Sequence, residues 1–463
     1  MKPFACLAIA LTMPFAWGQR NAGTHWVATW ASAQQQARGG GPPRGAPPQG
    51  AQGQGGQGRG GPGQAAQGQV PQGQALAAQG PAQGPGGAQG GGPAAAGGRG
   101  NGGRGGGGGF GGARSFNNQT VRMIVKSSIG GRRVRVHFSN AFGAMPLVID
   151  AAHIALRDKD SSIMPGSDHI LTFNGLKGCT VPPGAEIISD AADLNVPKLA
   201  DLVVSVHVPS DTGPASVHSM GLHTAYIVDG DETSAMQLTN PTTAQSWYWL
   251  SAVDVDAPAN AGTIVAFGDS ITDGATSTPD TDRSWPSVLA QRLQSNPATA
   301  NLGIVNEGIS GNRVLGDGAG VSALARFDRD VLSQSGVKWL MILESINDIN
   351  GGARQGTVTA DALILGLKQM VEKAHTHGIK VAGCTLTPYG NITDQGEEMR
   401  LAVNKWIRTP GNFDAVVDFD AVIRDPQDPK QFKQGYNNTD KLHPNDTGYK
   451  AMADAVDLKM FTK

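Results

Sequence analysis

The sequence predicts an α/β protein: a doubly wound parallel sheet over residues 263–463, preceded by an all-β sandwich-like region over 115–256. Three observations carry this. Between about 115 and 256, short apolar runs alternate with period two and are separated by Gly, Pro, Asn and Asp turns. From Thr263 the rhythm changes, and short apolar runs alternate with segments of helical period, the pattern of βα units. Residues 35–114 contain almost no large apolar side chain, so the folded mass must lie on either side of them.

Taken in order, residues 1–18 read as an export signal. Lys2 gives a positive start, Phe4 to Trp17 an apolar core, and Ala16-Trp17-Gly18 a small-x-small cleavage site before Gln19. The competing reading is a buried strand. The core is too short to span a bilayer, and no later run approaches the ~20 apolar residues that spanning needs. The mature chain is therefore expected to be secreted or periplasmic, without integral membrane association.

Residues 19–34, with the alternating "HWVATWASAQ", are expected to add an N-terminal strand to the β-region. The 35–114 segment holds much of the chain's 66 Gly, mixed with Gln, Ala, Pro and scattered Arg. By composition it cannot bury enough surface to offset its ordering entropy, and it is expected to be a disordered insertion within one domain. A formal net charge of −1 gives no footprint for phosphate backbones, so nucleic acid is not an expected partner.

The β-region opens with runs at Val121–Val125 and Val134–Phe138 around the turn "IGGR". It continues through "VIDAAHIAL", "HILTF", "ADLVVSVHVP", "HTAYIVDG" and "SWYWLSAVDV". The α/β region then supplies five short apolar strands: "TIVAFG", "GIVNEGI", "KWLMIL", "KVAGCTL" and "DAVVDF". Helical patterns lie between them, such as "SWPSVLAQRLQ", "ALARFDRDVLSQ" and "ADALILGLKQMVEKAHTHG", and "TGYKAMADAVDL" closes the chain. Cys6 is lost with the signal. Cys179 and Cys384 are read as buried free thiols, a disulfide being the alternative, and they build no metal site.

Ligands of such sheets bind at the carboxyl ends of the strands, and the chemistry-bearing residues fall there. Ser270, in "IVAFGDSITDG", follows the first strand; a serine hydroxyl is a poor nucleophile until a base takes its proton. His443, in "NNTDKLHPNDTGY", is the candidate base, and Asp440 three residues earlier can orient and stabilise its ring. The bland reading of that loop is a turn with Asp446 capping the last helix. His375 and His377, two apart at a helix end, diverge and make a poor metal pair. For a developing oxyanion, Gly311 in "NEGISGNRV" offers a backbone N–H and Asn347 in "ESINDIN" a side-chain amide.

With these residues in view, 263–463 resembles the GDSL, or SGNH, hydrolase family. "FGDSITDG" is similar to its first block with Ser270, "NEGISGN" to its second with Gly311, "SIND" to its third with Asn347, and "DKLHP" to its fifth with Asp440 and His443. The β-region, with "WVATWASA" and "VRVHFSNAFG", also resembles the N-terminal part of a secreted bacterial subgroup. The resemblance implies a flavodoxin-like sheet and ester hydrolysis without metal or cofactor. It implies Ser270, Asp440 and His443 as catalytic residues and an oxyanion hole from Ser270, Gly311 and Asn347. One position departs: Ser345 stands where the family has Gly in Gly-x-Asn-Asp. If its φ is positive, the serine is strained by about 1 kcal/mol or more and shifts Asn347; if negative, it sits comfortably.

The expected substrate is a short-chain, above all acetyl, ester, with acetylated polysaccharide as the partner class. A lipid ester is open too, although no long apolar stretch suggests a lid. The aromatic run Trp247–Leu250, with His218 or His223, suits sugar docking, but core packing is the first reading. The rival class is a non-catalytic carbohydrate-binding or adhesion protein with a degenerate hydrolase domain. For a third reading, a phosphatase or nuclease, the sequence offers neither a phosphate-cradling loop nor a metal cluster.

Overall fold

The computed structural model describes residues 25–37, 113–352 and 356–462. The export-signal reading, Cys6 and the insertion from 38 to 112 lie outside them. The ends of the insertion are corrected: Gln35–Gln36 form a short strand paired with Ser216–Val217, and Ala215 N–H donates to Arg114 O. The polar composition of the segment hid these residues, because they hold on through backbone bonds rather than apolar burial.

Two antiparallel sheets make the sandwich. One has four strands in the order His25–Ala31, Leu250–Ala257, Val134–Ser139, Glu186–Ile188. The other has six, with Gln119–Lys126 and Asp201–Val208 at its centre. Val27, Met123, Val125, Val136, Val204, Val206, Val253 and Val255 interleave between the sheets as one buried core. The expected N-terminal strand is therefore present, in register with the last strand of the region (His25 opposite Ala257). The runs around "IGGR" do not pair with each other. Gln119–Lys126 bonds to Asp201–Val208 and Ala225–Asp229, whereas Val134–Ser139 bonds to Leu250–Ala257, so the turn crosses from one sheet to the other.

The second half is a parallel sheet of five strands: β1 (Gly262–Gly268), β2 (Leu302–Gly308), β3 (Val337–Leu343), β4 (Lys380–Cys384) and β5 (Ala415–Val417). Their spatial order β2-β1-β3-β4-β5 is the flavodoxin-like doubly wound order. Ile264, Val265, Phe267, Leu340, Met341 and Val381 bury both faces, which is why these runs read as continuous rather than alternating. Helices start where the capping chemistry says: Thr359 caps Ala360–Thr376 and Thr393 caps Asp394–Arg408 through their side-chain oxygens. The "ALARFDRDVLSQ" pattern gives an α-helix, Ala323–Phe327, that widens into a π-turn at Asp328–Leu332.

The two halves are tied by hydrogen bonds from backbone N–H groups. Ala28 N–H donates to Ser335 O at 3.0 Å, and Ile304 N–H, on β2, donates to Ser128 Oγ at 3.0 Å. Trp247, Tyr248, Trp249 and Leu250 are all buried, with Trp247 Nε1 donating to Ile124 O, so this run is core. Cys179 and Cys384 are both free; Cys384 is buried but Cys179 only half-buried, a correction to the reading of two buried thiols.

Candidate active site

β1 delivers Ser270 to the carboxyl edge of the sheet. The strand ends at Gly268, and Asp269 caps the short helix Ser270–Asp273 by accepting Ile271 N–H at 2.9 Å. The helix abuts the end of β2 so closely that a Cβ on Gly308 would overlap the Asp273 backbone, which fixes glycine there. Ser270 is thus held by a cap, a strand end and a neighbouring backbone.

The loop bearing His443 reaches it from the far end of the sequence. Ser270 Oγ and His443 Nε2 are 2.8 Å apart, and His443 Nδ1 lies 2.6 Å from Asp440 Oδ2. A hydroxyl donating to Nε2 and an Nδ1–H donating to a carboxylate is the arrangement that lets imidazole take the serine proton. Asp440 also accepts the Leu442 and His443 N–H groups. Partial burial opposes its charge, but the bonds from His443 and those two N–H groups prevail and hold its pKa below the usual carboxylate value. The loop is pinned to the first by Thr276 Oγ1 donating to Pro444 O, Thr278 donating to Asp446, and Tyr449 OH donating to Ala275 O. Asp446 therefore binds Thr278, while Asn445 caps the last helix through Thr447 and Gly448 N–H. That corrects the capping reading of Asp446.

After β2, Gly311 has φ +81°, and among the described residues its N–H meets no acceptor. A Cβ there would lie 2.8 Å from Ala319 Cβ, so glycine suits the position twice over. After β3, Asn347 donates one amide proton to Asn312 O at 3.0 Å, which leaves its second proton uncommitted to that bond. Gly311 and Asn347 line the same groove, about 400 Å³, with Ser310, Arg313, Ala319 and Asn350. Asp348 ties this loop to the preceding one by accepting Val314 and Leu315 N–H.

Ser345 decides between its two readings: φ is +119°, in the region that favours glycine, and the residue is fully buried. Its Oγ finds no partner, while its N–H donates to Glu344 Oε2 at 2.9 Å. Strain of roughly 1–3 kcal/mol and an unsatisfied hydroxyl outweigh the ~0.5–1 kcal/mol of chain entropy that glycine loses on folding. Ser345→Gly is accordingly expected to stabilise the protein by about 1 kcal/mol and raise Tm by about 2–4 °C in thermal unfolding. A lowered Tm would show that the serine is not strained.

Other sequence candidates lie elsewhere. His375 contacts Asp414 and His377 the Lys373 carbonyl, both exposed. His223 is buried against Asp282, and His218 is buried facing Asp273. Among the described residues no group of three or more His, Cys, Asp or Glu is placed to hold a metal ion, and no helix is long and apolar enough to cross a membrane. Sequence reasoning missed Asp273, Ser310 and Arg326. Asp273 is three residues after Ser270, and Arg326 is the one charge inside "ALARF"; both were signals to be followed.

The GDSL-like Lipase/Acylhydrolase family model matches residues 264–456. No curated protein matches the chain. Similar solved structures include a protein assigned to the lipolytic G-D-S-L family from Desulfitobacterium hafniense DCB-2, at 26% identity over 43% of this chain and 99% of that one, with a TM-score of 0.33. A member of the lipolytic protein G-D-S-L family from Veillonella parvula is 21% identical over 44% of this chain and 100% of that one, TM-score 0.33. A catalytic mutant of an acetylxylan esterase from Geobacillus stearothermophilus is 22% identical over 42% and 91%, TM-score 0.34. From Ile264, within β1, through the sheet and loops that follow to residue 456, the chain is a GDSL-like lipase/acylhydrolase domain.

Proposed function

We propose that the protein is an exported serine esterase that removes short acyl groups, acetyl foremost, from polysaccharide esters through an acyl-enzyme. His443 Nε2 takes the Ser270 proton as Oγ attacks the ester carbonyl, and Asp440 holds the resulting imidazolium. The Ser270 and Gly311 N–H groups and the free Asn347 amide proton receive the oxyanion. His443 then protonates the leaving alcohol, and water cleaves the acyl-enzyme through the same base. The observation that carries this reading is the pair of contacts at His443, 2.8 Å to Ser270 Oγ and 2.6 Å to Asp440 Oδ2.

Export rests on the first eighteen residues, and the glycan substrate on export together with the similarity to an acetylxylan esterase. Incubation with p-nitrophenyl esters of graded chain length and with acetylated glycans is the test. Acetate release from glycan, and a p-nitrophenyl rate falling at least tenfold from acetyl to octanoyl, are expected. A preference for the long chain would favour a lipid ester. No turnover of any ester, with no labelling by a fluorophosphonate, would favour the adhesion reading.

A further inference from the structure

Two contacts pass from the β-region to the turn that carries Gly311 and to Ala319 beside it. The first begins at His218, the last residue of the strand Ser216–His218. Its Nδ1 lies 2.8 Å from Ala33 O and its Nε2 3.0 Å from Asp273 Oδ1. The other carboxylate oxygen of Asp273 accepts both Ser310 N–H, at 2.8 Å, and Ser310 Oγ–H, at 2.6 Å. His218, Asp273 and Ser310 are all buried. Each ring nitrogen of His218 faces an acceptor, so the ring fits as an imidazolium donating from both sides. Burial disfavours that charge and Arg326 opposes it, but the adjoining Asp273 carboxylate prevails and raises the His218 pKa.

The second contact is Gln35. Its amide donates to Ala319 O, and its Oε1 accepts Ser219 N–H and Oγ–H at 3.3 and 3.1 Å. Ala319 is the residue whose Cβ crowds Gly311. The turn is thus held by His218 through Asp273, and Gln35 fixes Ala319, which an added Cβ on Gly311 would meet at 2.8 Å.

We propose that His218 is a positioning residue for ester hydrolysis: through Asp273 it fixes the Ser310–Gly311 turn, and so the place where the Gly311 N–H meets the oxyanion. Asp273 also ends the helix that Ser270 begins, so one carboxylate sets the relative place of nucleophile and donor. The β-region is then part of the catalytic architecture. The inference rests on the reading of Gly311 as an oxyanion donor.

The test uses the full chain and p-nitrophenyl acetate. His218→Ala should lower kcat by about 10–100-fold with KM within about twofold, because a displaced donor weakens only the transition state. His218→Gln, whose amide can still donate to Asp273, should recover part of that loss. Titration of reactive serines with a fluorophosphonate, run to completion, should count as many sites as in the parent. Should His218→Ala fail to fold, Ser310→Ala decides: it deletes one hydroxyl donor and should lower kcat about 3–10-fold at unchanged KM. A kcat within twofold of the parent in the folded variant, or a loss fully explained by fewer titratable sites, overturns the proposal. A full rate in Ser270→Ala would instead overturn the underlying esterase reading, whatever His218 does.

Discussion

Ser270→Ala is expected to lower kcat/KM for p-nitrophenyl acetate by about 10⁴-fold or more while Tm stays within about 2 °C. The hydroxyl is the one group that the site holds 2.8 Å from the imidazole, so removing it leaves His443 with no proton to take for covalent attack. Oxyanion donors and binding would remain, and alone they leave a residual of about 10³–10⁴ over water. His443→Ala should cost about as much, and the double variant scarcely more than either, because the groups act as a unit. Little change in stability is expected, since the Ser270 side chain meets His443 rather than the apolar core. Rates are read with active-site titration to correct for the folded fraction. An undiminished rate in the alanine variant would remove Ser270 from the chemistry.

The parallel sheet was legible because its strands are buried on both faces, and such strands announce themselves as unbroken apolar runs between helical periods. Ser270, Gly311 and Asn347 were legible as candidates because each closely follows a strand, where loops carry function, and Asp440 and His443 because they share one short loop just ahead of the last helix. What escaped the sequence lies in pairings across long separations. That "IGGR" joins two sheets rather than two neighbouring strands is decided by partners 75 to 121 residues away, which no local pattern encodes. His218 and Asp273 are 55 residues apart, and their meeting depends on how the halves dock. At Ser345 the sequence posed the right question but could not supply the dihedral, because φ is set by the loop's neighbours rather than by its own residue.

Arg326→Met is expected to destabilise the protein by about 3–5 kcal/mol and lower Tm by roughly 10 °C. The guanidinium is fully buried and its donors are spent on the two strand ends nearest the site. Nη2 donates to Gly268 O at 2.9 Å, Nη1 to Glu307 O at 2.7 Å and Asp330 Oδ2 at 3.1 Å, and Nε to Asn312 Oδ1 at 2.9 Å. Phe267 lies beneath it, 3.9 Å from ring centroid to Cζ. Methionine fills much of the volume but leaves these acceptors without a donor.

The variant should also show a pH signature. Burial pushes Asp269 up to about 7 and Glu307 and Glu344 well above the usual carboxylate value, and Arg326 pulls all three the other way. The native state therefore holds protons that the unfolded chain releases above about pH 4, so this cluster's contribution to stability falls as pH rises through the raised values. Without Arg326 those values climb further, and the decline must extend to higher pH than in the parent. Thermal unfolding from pH 5 to 9 reads both effects. Equal melting temperatures within about 2 °C, with the same pH slope, would mean that the strand ends hold their register without the arginine, and that Gly268 and Asn312 are placed by the sheet alone.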